Sequence, residues 1–469
     1  MSARWGEVTL GEILDAIKGD LISGPEDLFI EGLSTDSREI KKGDLFLALK
    51  GPKYDGHDFV RQAIDKGAAG IVLQRDYALK IPKDEDRALI TVTDTLNALG
   101  DLAGWWRHQQ RVSVAAITGS AGKTTTKEMT AGILGIGAST LKNEGNFNNL
   151  VGLPLTLLML KKDHRKAVLE MGMNRPGEIA RLTEIADPDI GLITNVGRAH
   201  LEGVGDIRGV ARAKVELLEE ISPDSHVLLN GDDELLMEVA KPFHRAVSTY
   251  GLGSGNHMKA ENISSLGREG SSFELQHEGG SFAIRLKVPG IQNVRNALAA
   301  SAIALCMKTP EDQIVQGLKS FRGIKGRFMP TKLPGGAMLV DDTYNSNPYS
   351  LRVALNALKD LKAKGGRVLV GLGEMMELGH ETTSAHIEAG GLVAEMDAYF
   401  FAALGEHAEE MIRGAVDKGF PSKRAVLVET HQEMAQVLRD IMDAGDLILL
   451  KGSRRAGLEK VVENLKGGC

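Results

Sequence analysis

The sequence predicts an α/β protein of three domains, and three observations support this fold class. The chain has 469 residues, and one domain commonly holds about 150. A β-branched run, a glycine-rich turn and a helical pattern follow one another around residue 117, which indicates a strand–loop–helix unit. From about residue 321, apolar strands alternate regularly with helical patterns, which is typical of a doubly wound, mostly parallel sheet.

The same patterns place the predicted domain boundaries. A small N-terminal α/β domain is expected over residues 1–85, a central domain with a parallel sheet over 86–320, and a C-terminal, Rossmann-like doubly wound domain over 321–469. The C-terminal sheet has no G-x-G-x-x-G turn at its start. We therefore do not expect it to bind a dinucleotide.

Composition excludes several classes of protein. The apolar fraction of 42% and charged fraction of 25% are those of an ordinary globular protein. A net charge of −7 gives no reason to expect nucleic acid or an anionic membrane as partner. Cys306 and Cys469 are far apart and have no neighbouring cysteine, so neither a disulfide framework nor a zinc site is expected. Without a signal-peptide pattern or a long apolar run, we expect a cytoplasmic location and no membrane insertion.

In the N-terminal region, helical spacing over residues 10–17 and an apolar run over 43–49 predict a helix and a buried strand. Between them lies a cluster of polar side chains that could hydrogen-bond a phosphorylated or sugar-like ligand. Such clusters also shape turns, and the residues alone do not decide between the two roles. The cluster consists of Ser34, Thr35, Asp36, Ser37 and Arg38.

The glycine-rich turn lies between a predicted strand over 112–117 and a predicted helix over 123–134. Its backbone N–H groups and the positive end of the helix converge where a phosphate can bind. Lys123 would add a charge on the terminal phosphates, and the Thr124 hydroxyl would bind magnesium. Because Ile117 stands where the common pattern has a glycine, a purely structural turn is the alternative. The candidate nucleotide-binding residues are Gly119, Ser120, Ala121, Gly122, Lys123, Thr124 and Thr125.

These features predict a central domain of the phosphate-loop ATPase type. Glu170 ends a predicted strand over 167–171, where its carboxylate could reach a magnesium ion. His200 follows a predicted strand over 190–196, so it could bind metal or phosphate or be structural. Lys214 lies on a predicted helix over 211–220 and, by pattern alone, is a solvated helix lysine.

Two further asparagine groups occur in the central region. The polar loop over 143–149 carries Asn146, Asn148 and Asn149 and is too polar for a core element. Asn293 and Asn296 lie on one face of a predicted helix over 290–305. Their amides could recognise a base edge or cap the helix.

The C-terminal region has predicted strands over 337–341, 367–371, 398–404, 425–429 and 446–450. Helices are predicted between them over 349–362, 384–395, 406–418 and 432–444. Ligands of such sheets bind at the carboxyl ends of the strands. The loops of interest are therefore 342–348, 373–380 and 451–455.

Together these motifs resemble the ATP-dependent Mur ligases of peptidoglycan synthesis, over essentially the whole chain. The shorter glycine-rich loop seen here is the form found in that family. Segments 33–38 and 342–348 resemble the family member that joins D-alanyl-D-alanine to UDP-N-acetylmuramoyl-tripeptide. The resemblance implies a monomeric ligase that uses ATP and two Mg²⁺ ions and forms an acyl phosphate.

The resemblance also implies roles for individual residues. Lys123 and Thr124 would hold phosphates and Mg²⁺, with Glu170, His200 and a carbamylated Lys214 completing the metal sites. The nucleotide would further contact Asn293, Asn296, Arg327 on the γ-phosphate, and Asp342. The UDP-sugar would bind Ser34, Thr35, Asp36, Ser37 and Arg38, and the peptide substrates would lie near Asn146, Asn148, Asn149, Asn345 and Asn347.

Two positions depart from the family pattern, since Gln292 replaces a usual histidine and Glu374 a usual aspartate. The Asp-Asn-Pro-Arg signature of the member that adds a free diamino acid is absent, which favours a dipeptide acceptor.

Two other functions stay open. One is a related ligase with another amine acceptor, such as one of the folylpolyglutamate synthase kind. The other is a nucleotide-gated switch without ligase activity.

Overall fold

The computed structural model describes residues 2–81, 86–243, 247–362 and 366–467. Within these residues the chain forms three sheets of six, nine and six strands. The predicted α/β fold class with three sheet-containing regions is confirmed. Among the described residues, no helix combines the length and apolar character needed to cross a membrane.

The first sheet has the order β1-β3-β4-β5-β6-β2. Its strands are β1 (Ser2–Thr9), β2 (Asp20–Ser23), β3 (Phe29–Ser34), β4 (Asp44–Leu47), β5 (Gly70–Gln74) and β6 (Ala88–Val92). Its helices are α1 (Leu10–Ile17), α2 (Val60–Asp65) and α3 (Thr95–Gln109). Strands β3 to β6 are parallel, while β1 and β2 pair antiparallel at the edges. Helix α1 has the predicted bounds because Thr9 and Glu12 form a capping box.

The second sheet has the order β15-β14-β13-β12-β11-β10-β7-β9-β8. Its strands are β7 (Ser113–Thr118), β8 (Thr140–Lys142), β9 (Lys166–Glu170), β10 (Ile190–Ile193), β11 (His226–Asn230), β12 (Val247–Gly251), β13 (Met258–Ser265), β14 (Ser271–His277) and β15 (Gly280–Leu286). Its helices are α4 (Lys123–Leu134), α5 (Gly152–Leu157), α6 (Glu178–Ala186), α7 (Leu201–Val204), α8 (Ile207–Glu220), α9 (Glu234–Ala240), α10 (Ile291–Cys306) and α11 (Glu311–Ser320). Strands β7 to β13 are parallel, and β14 and β15 add an antiparallel edge.

The third sheet has the order β16-β17-β21-β18-β19-β20, with only β16 antiparallel. Its strands are β16 (Met329–Lys332), β17 (Met338–Asp342), β18 (Val368–Gly373), β19 (Phe400–Leu404), β20 (Ala425–Val428) and β21 (Leu447–Lys451). Its helices are α12 (Pro348–Leu361), α13 (Thr382–Glu395), α14 (Ala408–Asp417), α15 (His431–Ile441) and α16 (Glu459–Lys466). This alternation confirms the predicted doubly wound C-terminal region.

Helix α3 joins the first sheet to the second. The indole N–H of Trp106 on α3 donates to the Leu160 carbonyl at 3.1 Å. Nearby, the Trp5 indole donates to the Leu158 carbonyl at 3.1 Å, and the two indole rings lie 5.8 Å apart. Each indole donates a hydrogen bond to a carbonyl, and the ring of Trp106 is buried while that of Trp5 is partly buried. These contacts stabilise the packing of the first sheet against the second.

Ion pairs join the central and C-terminal regions. Arg198, which follows β10, pairs with Glu381 at 3.4 Å and also with Glu388 of α13. The backbone N–H of Glu202 donates to the Glu377 carbonyl at 3.1 Å. These contacts bring the carboxyl ends of the β7–β10 strands opposite the C-terminal loops.

The predicted domain boundaries stay a prediction. The first sheet continues through β6 to Val92, beyond the predicted boundary at 85, and residues 82–85 lie outside the described residues. We therefore propose a first boundary after β6.

Cys306 is free and partly buried on α10, while Cys469 lies outside the described residues.

Candidate active site

A cavity of about 770 Å³ lies between the central and C-terminal regions. Most residues predicted for the site from the sequence line its wall. They are Ser120, Ala121, Gly122, Lys123, Thr124, Thr125, Asn146, Asn148, Asn149, Glu170, His200, Asn293, Asn296, Arg327, Asp342, Asn345 and Asn347. Gly119, Lys214 and the cluster over 34–38 do not line it. A cavity of this size, with many polar groups converging on it, is typical of a ligand site.

The glycine-rich turn needs its glycines for conformation and for space. Gly119 has φ +145° and Gly122 has φ +85°, values that side chains rarely tolerate. A Cβ at Gly119 would collide with the Thr194 hydroxyl, and a Cβ at Gly122 would lie 2.5 Å from Oδ1 of Asn296. The backbone therefore approaches its neighbours closely, and the turn is open towards the cavity.

Residues just after β10 hold this turn in place. The Ser120 N–H donates to the Asn195 carbonyl at 3.0 Å, and the Ala121 N–H donates to Asn195 Oδ1 at 2.9 Å. The Thr194 hydroxyl donates to the Ala121 carbonyl at 2.7 Å. The predicted strand over 190–196 is wrong at its end, because β10 ends at Ile193. The Thr194 N–H still donates to the Thr118 carbonyl at 2.9 Å, while the side chains of Thr194 and Asn195 bind the turn.

Lys123 begins α4 and faces the cavity. Its ammonium donates to the Gly119 carbonyl at 2.7 Å. Burial lowers the pKa of Lys123, and the positive charge of Arg327 lowers it further, against the opposing effect of Glu170. A cation held under this electrostatic cost is stabilised when an anion such as a phosphate binds beside it.

Arg327 comes from the segment that leads into the C-terminal sheet. Its Nη2 donates to Oγ1 of Thr124 at 3.2 Å. Thr124 is the residue after Lys123, at the start of α4. The contact therefore brings a guanidinium of the C-terminal region to the start of the helix that follows the glycine-rich turn of the central region.

Glu170 at the end of β9 presents an unpaired carboxylate oxygen. Its Oε1 accepts from Nδ2 of Asn148 at 2.8 Å, whereas its Oε2 is buried without a hydrogen-bond partner among the described residues. Asn143 fixes the Glu170 backbone, donating to its carbonyl and accepting from its N–H at 2.9 Å each. A buried, unsatisfied anionic oxygen needs a cation or donor to offset its desolvation.

His200 contacts the C-terminal region. Its Nδ1 lies 2.6 Å from Oε2 of Glu377, close enough for an ion pair although not aligned as a hydrogen bond. This contact is the largest effect that lowers the pKa of Glu377. Glu377 was not predicted as a site residue, although its loop was singled out.

Lys214 is buried on α8 and has a side chain only 2% exposed. The pattern-based prediction of a solvated helix lysine is therefore wrong. Burial lowers the pKa of Lys214 well below its usual value, and the charge of Lys123 adds to this. The charge of Glu216 opposes this lowering in part. The Glu216 carboxylate accepts from the N–H groups of Gly177 and Ala180 at 2.8 and 3.1 Å.

The start of α10 supplies the amides predicted beside the nucleotide. Asn293 Nδ2 donates to the Pro289 carbonyl at 2.7 Å, so this amide acts locally at the helix start. Asn296 lies against Gly122. Gln292 is one helical turn before Asn296 and also lines the cavity. Both polar atoms of its amide are buried without a partner among the described residues, so they are available to a ligand.

Loops at the carboxyl ends of β17 and β21 form the opposite wall. Asp342 accepts from the Phe328 N–H at 3.0 Å and from Nζ of Lys451 at 2.7 Å. Burial raises the pKa of Asp342, and Lys451 opposes this. Lys451 also donates to the Asn345 carbonyl at 3.0 Å. Asn347 caps α12 by accepting from the Ser350 N–H at 2.8 Å.

The polar cluster over 34–38 lies at the end of β3, away from the cavity. Asp36 and Arg38 form an ion pair at 2.7 Å, and hydrogen bonding from Arg38 lowers the pKa of Asp36 to about 2. The Ser34 hydroxyl donates to the Asp36 carbonyl at 3.0 Å, and the Ser37 hydroxyl donates to Oε1 of Gln62 at 2.5 Å. Thr35 lies between them in the same turn.

Sequence models of one ligase family match most of the chain. The Mur ligase family catalytic domain matches residues 29–106, the Mur ligase middle domain matches 117–304, and the Mur ligase glutamate ligase domain matches 326–454. The chain belongs to the Mur ligase family. The three matched segments fall on the three sheets in the same order, although β1 and β2 of the first sheet precede the first match.

Individual relatives of this Mur ligase cover nearly its full length. UDP-N-acetylmuramoyl-tripeptide–D-alanyl-D-alanine ligase of Escherichia coli (strain K12) is 36% identical over 98% of this chain and 99% of its own. A crystal structure of MurF from Acinetobacter baumannii has a TM-score of 0.88 at 32% identity, covering 99% of this chain and 100% of that one. The MurF ligase of Thermotoga maritima in complex with ADP has a TM-score of 0.83 at 28% identity, over 93% and 97% of the chains.

Proposed function

We propose that this Mur ligase joins D-alanyl-D-alanine to UDP-N-acetylmuramoyl-tripeptide with cleavage of ATP to ADP and phosphate, a step of peptidoglycan precursor synthesis. One observation carries the proposal. The phosphate-binding turn of the central region and the strand-end loops of the C-terminal region line one cavity. The names of the relatives at 36% and 32% identity support the substrates.

The reaction fits the charges around the cavity. The terminal carboxylate of the tripeptide attacks the γ-phosphorus of ATP, so that ADP leaves and an acyl phosphate forms. The uncharged amine of the dipeptide then attacks the acyl carbon, phosphate leaves and the amine loses a proton. The first step brings two anions together, and Lys123 and Arg327 lower its barrier by balancing their charge.

The residues present fit magnesium. Within the described residues there is no group of three or more histidine, cysteine or acidic side chains that could hold a metal alone. Mg²⁺ commonly takes one or two protein ligands and completes its shell with phosphates and water. The unpaired Oε2 of Glu170 and the Thr124 hydroxyl are oxygen ligands of this kind, with His200 nearby. When bound, the ion neutralises phosphate charge.

We further propose that Lys214 is carbamylated and supports a second Mg²⁺ ion. A neutral amine adds to carbon dioxide, forming an N–C bond and releasing a proton, which turns a buried cation into an anion. Its burial supports this exchange, because a buried ammonium is costly and the charge of Glu216 opposes that cost only in part. The low pKa of Lys214 favours the neutral amine that reacts.

The N-terminal region is proposed to hold the UDP-sugar through Ser34, Thr35, Asp36, Ser37 and Arg38. This cluster lies outside the cavity, and the substrate is long enough to be held at one end while its peptide carboxylate reaches the other. Asn146, Asn148, Asn149, Asn345 and Asn347 are proposed to lie along the peptide. A cytoplasmic location and a monomeric state stay predictions.

The acceptor is tested by measuring phosphate release from Mg-ATP with UDP-N-acetylmuramoyl-tripeptide and a series of amines. We expect release only when both the tripeptide substrate and D-alanyl-D-alanine are present. Release with a free diamino acid instead would assign the chain to another acceptor. Release without any co-substrate, or none with any pair, would favour the nucleotide-gated switch and contradict the proposed ligation.

A further inference from the structure

Tyr344 follows β17 and is fixed against the segment that carries Arg327. Its backbone N–H donates to the Gly326 carbonyl at 3.0 Å. Gly326 has φ +76°, and a Cβ added there would lie 3.2 Å from Cβ of Tyr344. The glycine therefore gives both the backbone turn and the space that let this tyrosine sit beside Arg327.

The ring of Tyr344 lies under the Arg327 guanidinium, whose central carbon is 4.0 Å from the ring centroid. This distance is within the range of a cation–π contact. On its other side, Arg327 donates to the Thr124 hydroxyl at 3.2 Å. Among the described residues no carboxylate forms an ion pair with Arg327. Its charge acts on Asp342, where it opposes the rise in pKa caused by burial, but Asp342 is paired with Lys451 at 2.7 Å.

This arrangement suits a guanidinium that binds a phosphate. A carboxylate partner would orient Arg327 but would also neutralise the charge that an incoming phosphate needs. An aromatic face orients the guanidinium by its quadrupole and leaves its net charge intact. Orientation before binding also reduces the entropy lost when the phosphate binds.

We propose that Tyr344 is a positioning residue, which holds Arg327 over the start of α4 so that the guanidinium meets the γ-phosphate. The proposal rests on the proposed ligase function. Tyr344 also lines the cavity, and Arg454 lies 5.7 Å from the centroid of the same ring. The proposal assigns the closer contact, that with Arg327, to the face of the ring rather than to the hydroxyl.

The chain offers a matched control. Tyr399 also carries arginines on its ring, with Arg367 and Arg424 each 4.4 Å from the centroid. It precedes β19, so it lies at the amino end of that strand, whereas the cavity lies at the carboxyl ends. Replacing it tests the loss of a tyrosine–arginine contact in the same sheet but far from the reaction.

The test measures kcat and KM for ATP in tripeptide–dipeptide ligation. We expect Tyr344→Leu to lower kcat about tenfold. The kcat values of Tyr344→Phe and Tyr399→Leu should stay within about twofold of the parent value. In an Arg327→Gln background, Tyr344→Leu should cause little further loss, because the residue it positions is gone. The proposal would be overturned if the kcat losses of Arg327→Gln and Tyr344→Leu were fully additive in the double variant. It would also be overturned if Tyr344→Phe had a kcat as low as that of Tyr344→Leu.

A second series keeps the shape of the side chain, in case Tyr344→Leu does not fold. Phenylalanines with increasing fluorination at position 344 weaken the ring quadrupole while the packing stays similar. We expect kcat to fall stepwise with fluorination, and a constant kcat would contradict the cation–π role. A failed ligase assignment is distinguishable, because the parent protein would then form no product at all.

Discussion

Lys123→Ala is expected to lower ATP-dependent turnover by at least about 1,000-fold, because a charge aimed at the transferred phosphate is lost. The same change should not lower the melting temperature. Burial and Arg327 oppose the charge of Lys123 and lower its pKa, against the effect of Glu170. Removing the charge relieves this electrostatic cost, which offsets the lost hydrogen bond to the Gly119 carbonyl. Steady-state phosphate release and thermal unfolding measure the two quantities.

Lys166→Ala is the matched control for this variant. Lys166 begins β9, so it lies at the amino end of the strand whose carboxyl end carries Glu170. Its removal should leave turnover close to that of the parent. Normal turnover of Lys123→Ala would contradict the assignment of the phosphate-binding turn, and a large loss in Lys166→Ala would show that the assay responds to any lost lysine.

Lys214→Ala is expected to lower turnover by at least about 100-fold if the lysine acts as a carbamate ligand of magnesium. Bicarbonate should not restore activity, since the amine that reacts with carbon dioxide is gone. A short carboxylic acid should restore part of it, because the cavity left by the side chain can take the missing carboxylate. In the parent, labelled bicarbonate should give a carbon-13 carbamate signal that the variant lacks.

Arg212→Ala is the control on the same helix, since the Arg212 side chain is 69% exposed. It should leave activity unchanged. Unaltered turnover of Lys214→Ala would remove the residue from the site. Carbamylation would be contradicted if Lys214→Ala lost turnover, no carboxylic acid restored it and the parent gave no carbamate signal. Lys214 would then act as an unmodified, buried amine.

Local pattern was enough to predict the elements that form the proposed phosphate site. Helix α4 spans Lys123–Leu134 as predicted, because a glycine-rich turn precedes it and a regular apolar face follows. The strand ends that carry Glu170 and Asp342 were placed within a residue. These two strands belong to different sheets. The contacts of Arg198 and Arg327 between the two regions bring their carboxyl ends to a single cavity.

Contacts between distant segments were not predictable in this way. Thr194 and Asn195 directly follow β10, and the sequence pattern does not show that their side chains hydrogen-bond the glycine-rich turn. Lys214 lies one helical turn before Leu217 and Leu218, which are buried. This spacing places it on the apolar face of α8, a signal that the interpretation as a solvated lysine did not use. The role proposed for Lys214 comes from the resemblance alone. The Tyr344–Arg327 contact joins loops that only the folded chain brings together.

The claim that this Mur ligase activates a carboxylate by phosphorylation is tested most directly with oxygen-18. UDP-N-acetylmuramoyl-tripeptide labelled in its terminal carboxylate is converted with Mg-ATP and D-alanyl-D-alanine, and the released phosphate is analysed by mass spectrometry. The account predicts that one labelled oxygen moves from the carboxylate to phosphate in each turnover. Phosphate without label, formed together with the ligated product, would contradict the acyl-phosphate mechanism.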